Sequence, residues 1–240
     1  MKAPKSVRYL CQAAFILASV LAGGLPAHGQ GGGVGGVPGY PDRIDAYDPR
    51  ELAMLPPYCI YTNLFPRSVI GDDSKEEYKR WHSMLGDTFR AMHHYCWALM
   101  KTNRAILLTR TRKYRQFYLE DSILEFDYVL RYTPENHVLL PEILTKRGEN
   151  LIRLDRVSPG LQDLTRAIEL KADYWPPYAV MSDHYKATGD IKKAREILEK
   201  GLSFSPDAKA LKARLAELDA AKGKGTTGTQ SGKPQPPANP

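Results

Sequence analysis

Large apolar and small residues recur along this chain at helical spacings. Trp175, Tyr178, Met181-Ser182 and Tyr185 mark one face of a first helix; Gly189-Asp190 then interrupts the pattern. Ala194, Leu198 and Gly201 mark one face of a second helix, and Pro206 closes the segment. Stepping back 34 residues meets Leu144, Arg147-Gly148, Leu151, Gly160, Leu164, Ala167 and Ala172. Arg147 and the missing proline are departures. A weaker copy ends at Pro134, with Ser122, Phe126 and Val129 in the second-helix slots, while its expected first helix, Arg104 to Gln116, matches poorly. Further upstream, Trp81, Leu85-Gly86 and Phe89 echo the first-helix pattern. Downstream, Leu211, Leu215 and Leu218 form one apolar stripe on a helix otherwise rich in Lys, Glu and Ala.

Punctuation agrees with these elements. Pro141, Pro159 and Pro176 or Pro177 suit first-turn positions, where a missing N–H costs nothing. Ser158 is expected as an N-cap, and Ser74 with Glu77 as a capping box.

The spacing resembles the tetratricopeptide repeat (TPR): an aromatic, a large apolar residue followed by a small one, then Tyr, and a second helix with a small, a large, a small residue and a closing Pro. The resemblance covers 137–206 firmly and 75–136 loosely. It implies an all-α, TPR-like α-solenoid of antiparallel helix pairs with a C-terminal capping helix. Each pair leaves one face apolar, so neighbours must stack.

The ends read differently. Lys2, Lys5 and Arg8 precede an apolar stretch from Tyr9 to Ala22, then Gly23, Gly24, Pro26 and the small-residue run ending at Gly29. This is the pattern of a cleaved secretory signal, and the apolar run is shorter than the roughly 20 residues a spanning helix needs. The expected divisions are a signal peptide at 1–29, a Gly-rich flexible spacer at 30–49, an N-terminal helical region with a degenerate repeat at 50–136, TPR-like repeats and capping helix at 137–221, and a disordered tail at 222–240. An exported, periplasmic protein with no stable membrane insertion is expected.

Net charge adds little. The formal charge is +7, yet six lysines and arginines lie in the two end segments, and setting them aside leaves 28 basic against 27 acidic residues. The body is near neutral and carries no nucleic-acid recognition motif, so no nucleic-acid partner is expected. Locally, Lys101 to Leu119 holds six basic residues and no acid. On a continuous helix Lys101, Arg104, Arg112 and Arg115 fall within about 80° of arc, a basic stripe able to meet an acidic glycan or lipid head group.

Chemistry-bearing residues are few. His93-His94-Tyr95-Cys96, with Cys59 and His82, suggests a metal, but on one continuous helix His82 and His93 would stand about 16 Å apart. His93 and Cys96 alone are too few ligands, so no metal and no cofactor is expected. Cys96 falls on the stripe Trp81, Leu85, Phe89, Met92 and Leu99. Cys59 lies in an extended, proline-flanked stretch, and in an oxidising space the two cysteines are candidates for a disulfide closing a loop of about 38 residues, worth roughly 3–4 kcal/mol. No phosphate-binding loop or nucleophile elbow is present, and Asp72-Asp73 and Glu76-Glu77 are read as helix-start charges. An enzyme is not expected.

In proteins resembling this one, the first helices of the repeats line a groove that holds a peptide. Carried onto this chain, the groove residues are Glu142, Thr145, Lys146, Glu149 and Arg153 in one repeat and Ala179, Asp183 and Lys186 in the next. Repeats that clamp a C-terminal carboxylate use Lys and Asn there; Glu149 and Asp183 stand in the Asn places, so that clamp is not expected. The reading that follows is a non-catalytic scaffold binding a protein partner in a cell-envelope complex serving secretion, pilus or exopolysaccharide machinery. Alternatives are an acidic-glycan or lipid-head-group module using the basic stripe, and a metal- or thiol-dependent enzyme centred on Cys59, His93 and Cys96.

Overall fold

Proline and short polar caps start most of the helices. A computed structural model describes residues 47–62 and 72–226, so the expected signal, most of the spacer and the tail beyond 226 lie outside the described residues. The helices are α1 Pro49–Ala53, α2 Asp72–Leu85, α3 Met92–Asn103, α4 Arg112–Arg131, α5 Leu140–Arg153, α6 Val157–Leu170, α7 Pro176–Ala187, α8 Ile191–Phe204 and α9 Lys209–Thr226. Two 3-10 turns, Pro57–Tyr61 and Gly86–Ala91, and a π-turn, Arg104–Leu108, complete the described chain, which contains no strand. Pro141 is the second residue of α5, Pro159 the third of α6, and Pro176 and Pro177 open α7. Asp190 caps α8, accepting the Lys193 amide at 3.0 Å, and Thr111 caps α4. One expected cap is not found: α6 begins before Ser158, and its N-cap position is Arg156 with no side-chain cap bond. α2 begins at Asp72, two residues before Ser74.

Three helix pairs stack in chain order: α3 with α4, α5 with α6, and α7 with α8, while α9 packs on α8 and α7. In all three second helices the repeat positions fall in the core. Ser122, Phe126 and Val129 are buried, as are Gly160, Leu164 and Ala167, and Ala194, Leu198 and Gly201. The tightest crossing joins α5 to α6. A β-carbon on Gly148 would stand 2.7 Å from the Gly160 carbonyl oxygen, and one on Gly160 would stand 2.8 Å from that of Gly148. The backbones therefore touch, and Leu164 fills the space beside them. Ser182 and Ala194, the corresponding residues of the next pair, are also small and buried. Between the paired helices, Asp155 (φ 59°) and Gly189 (φ 85°) take the left-handed turn at the same place in their repeats.

The first pair departs from the expected register. Its first helix is α3, not Arg104 to Gln116, because the π-turn and the extended Thr109–Thr111 link push α4 later along the chain. The apolar period of α3 is hidden because nearly its whole surface is covered, with every residue from Tyr95 to Thr102 buried. The echo at Trp81 to Phe89 is no continuous helix either: Gly86 (φ 62°) breaks it into α2 and a 3-10 turn. Cys59 and Cys96 are joined, with Cα atoms 5.7 Å apart, and hold the Pro57–Tyr61 turn against α3. At the other end, α9 runs five residues into the stretch expected to be tail.

Gly148→Ala forces α5 and α6 apart along backbone that cannot yield like a side-chain tip. It should destabilise the chain by about 1–3 kcal/mol in chemical denaturation, whereas Lys192→Ala on exposed α8 surface should stay within about 0.5 kcal/mol of the parent.

Candidate functional site

Stacking places α5, α7 and α9 in succession, and their polar residues meet across the helix boundaries. Arg214 on α9 donates to both Asp183 oxygens on α7, at 2.9 and 2.8 Å, and Lys186 reaches Glu217 at 2.6 Å. Within α5, Arg153 donates to Glu149. Tyr95 donates to Glu142 at 2.5 Å, and burial together with the charges of Glu142 and Glu149 pushes the Tyr174 phenol up. Of the expected groove residues, Glu142, Lys146, Glu149, Arg153, Asp183 and Lys186 are at least partly exposed.

Two are not on an open surface. Thr145 is 2% exposed with its hydroxyl turned back to the Pro141 carbonyl, and Ala179 is 3% exposed beneath the neighbouring helices. Close stacking of successive first helices consumes both. The chain's own Pro57–Tyr61 turn packs on α3, so the open part of this face is carried by α5, α7 and α9. Arg214 and Glu217 were missed because α9 was read only as a solvating helix. The 34-residue step from Asp183 lands on Glu217 and would have found it.

The expected basic stripe does not exist as one surface. The helix is interrupted between α3 and α4, so the arc computed for an unbroken helix fails. Lys101 is 1% exposed and bridges Asp121 at 2.7 Å and Glu125 at 2.6 Å. Arg104 is paired with Glu51 through two hydrogen bonds. Arg112 and Arg115 remain exposed near the start of α4.

The cysteine–histidine constellation is accounted for by packing. Cys59 and Cys96 form the disulfide, and His93 is hydrogen-bonded through Nδ1 to the Arg90 carbonyl. His94 stacks on Tyr128 with centroids 3.6 Å apart and bonds Glu125, which also holds Lys101. Burial opposes ionisation of Glu125, but the hydrogen bonds and charges of His94 and Lys101 outweigh it and keep the carboxyl below its usual range. Burial, aided by the adjacent His94, pulls His93 down to about 4. Among the described residues no group of three or more His, Cys, Asp and Glu is arranged to hold a metal, and no helix is long and apolar enough to cross a membrane.

No family model matches the chain. Over 98 residues, 41% of this chain, it is 32% identical to the Hsp70-Hsp90 organizing protein of Triticum aestivum. Over 105 residues, 44% of the chain, it is 30% identical to the Protein STIP1 homolog of Dictyostelium discoideum. Both are TPR proteins. The stacked pairs and buried repeat positions form an all-α, TPR-like solenoid, and over these stretches the chain is similar to tetratricopeptide-repeat proteins.

Aligned stretches of this chain span only 16% and 17% of those relatives' lengths. A solved structure, the first TPR of Spaghetti (RPAP3) bound to HSP90 peptide SRMEEVD, covers 53% of this chain and 96% of its own, at 18% identity and a TM-score of 0.38. One expectation is corrected by the relatives. The expected export and periplasmic location are contradicted by this similarity, which is to cytosolic co-chaperones. Residues 1–29, which carry the signal-like pattern, lie outside the described residues.

Lowered pKa values at His93 and Glu125 make folding depend on pH. The unfolded chain binds a proton at His93 near pH 6.5 and the folded chain only near pH 4, so stability contributed here rises with pH between those values. Glu125 acts in the same direction, its contribution being lost as pH falls through its depressed range. An NMR titration should place the His93 midpoint near 4. Denaturation should show about 2–3 kcal/mol less stability at pH 4 than at pH 6.5 through this residue, and His93→Gln should lose that portion of the slope.

Proposed function

We propose that this TPR-like protein is a non-catalytic adaptor that holds a segment of a protein partner on the polar face formed by α5, α7 and α9. The observation that carries the reading is the continuity of that face. Asp183 and Lys186 of α7 are bracketed by Glu149 and Arg153 on α5 and by Arg214 and Glu217 on α9. Charges of both signs alternate across it, which suits a partner segment of mixed charge read by exchange of these exposed pairs. Exposed pairs of this kind contribute little to folding, about 0–1 kcal/mol each, so they can be exchanged at small cost. The similarity to an Hsp70-Hsp90 organizing protein supports an assembling role over a transforming one.

The cell-envelope setting rested on export and is not carried forward. The glycan and lipid-head-group alternative loses its surface with Lys101 and Arg104 buried in ion pairs. The thiol or metal enzyme loses both thiols to the disulfide.

The test uses the full chain as bait in native extract, with retained proteins quantified by mass spectrometry. Asp183→Arg with Glu149→Arg should reduce retention of the parent's specific partners at least tenfold, a change of about 1.4 kcal/mol. Glu199→Arg, on exposed α8 surface, should retain them. Equal retention by the double variant, with unchanged helix content by circular dichroism, would contradict the reading.

A further inference from the structure

A different set of charges gathers where α4 begins and α5 ends. Arg110, Arg112 and Arg115 at the start of α4, with Arg153 and Asp155 at the end of α5, line a cleft of about 400 Å³ that reaches the side chain of Leu119. Four guanidiniums thus share one cleft with a single carboxylate.

Three observations set this cluster apart from ordinary surface charge. Several arginines elsewhere are matched: Arg147 bridges Asp127 and Asp163, Arg195 meets Asp219, and Arg214 meets Asp183. Arg110, Arg112 and Arg115 have no carboxylate partner among the described residues, and Arg153 shares only Glu149. Second, the charges are placed against the local field. The first turn of α4 contains no acid, and Arg112, Lys113 and Arg115 crowd its unpaired amides, where anions are favoured and cations are not. Third, Asp155 holds a left-handed turn that the next repeat gives to Gly189, keeping the cleft's one carboxylate at the cost of backbone strain.

Guanidiniums recognise planar or tetrahedral oxyanions through paired N–H donors. Four guanidiniums less Asp155 and the Glu149 that already holds Arg153 leave a surplus near two charges, more than one ligand carboxylate would offset. A phosphomonoester carries about −1.5 to −2 with three strong acceptor oxygens and suits such a cluster far better. We propose that this cleft binds the phosphomonoester of a phosphorylated side chain on a protein partner. The cleft shares Arg153 with the α5 edge of the proposed groove but uses no residue of α7 or α9, and it stands whether or not that face binds a peptide.

The probes are a capped Ala-Ala-phosphoserine-Ala-Ala peptide, its serine counterpart and inorganic phosphate, each titrated calorimetrically into the full chain. The phosphoserine peptide should bind at least tenfold tighter than the serine peptide and than inorganic phosphate, and should weaken steeply with added salt. Arg112→Gln with Arg115→Gln should lose at least tenfold in that affinity, while Asp155→Gly should gain. Free of ligand, the double variant should melt about 1–4 °C higher than the parent, since cations leave the first turn of α4. That rise separates lost binding from lost folding. Asp183→Arg should leave phosphopeptide binding unchanged, which distinguishes this site from the proposed groove. Equal affinity for phosphorylated and unphosphorylated peptides, or retention of binding in the double variant, would overturn the proposal. Inorganic phosphate binding as tightly as the peptide would overturn the assignment to a protein side chain.

Discussion

Two helices can lie backbone to backbone only where no β-carbon intervenes, and Gly148 against Gly160 is that place in this chain. The close approach brings Leu164 of α6 against α5, with Leu151 buried nearby. It also fixes which residues remain outside. Once α5 and α6 are locked at this distance, Glu142, Lys146, Glu149 and Arg153 have no core to enter and form the edge of a polar face. The same logic repeats with Ser182 and Ala194 in the next pair. Function on this reading is what is left over when the small residues have set the spacing.

A pair so built still exposes one apolar side. For α7 and α8 that side is closed by α9, whose Leu211 and Leu218 are buried against Tyr178, Ala194 and Leu198. α9 stands one 34-residue step beyond α7 and carries Arg214 and Glu217 toward it, so it serves as a further first helix as well as a cap. At the other end, α3 is enclosed by α4, the π-turn and the disulfide-tied turn at Pro57–Tyr61. The proposed binding face is therefore bounded at its start by the chain's own segment and continued at its end by α9.

Legibility in the sequence followed the physics. The second helices of all three pairs could be read in register, because Ser122, Gly160 and Ala194 mark one slot and Phe126, Leu164 and Leu198 another. The first helix of the first pair could not. A helix buried on nearly every side shows no apolar period, and the π-turn at Arg104–Leu108 broke the repeat length. The basic stripe failed for the same reason, since angular arithmetic assumes an unbroken helix and cannot foresee Asp121 and Glu125 closing over Lys101. The joining of Arg153 with Arg110 in one cleft was invisible because it depends on where two helix ends meet.

The central claim is that each helix pair depends on its immediate neighbour rather than on one shared core. Hydrogen exchange on the full chain carrying Leu211→Asp tests it most directly, because Leu211 of α9 is fully buried in one cluster with Tyr178 of α7 and Leu198 of α8. The account predicts that amide protection falls strongly in α9, partly in α7 and α8, and hardly at all in α3 and α4. Uniform loss of protection from α3 to α9, or no loss in α7 and α8, would contradict it.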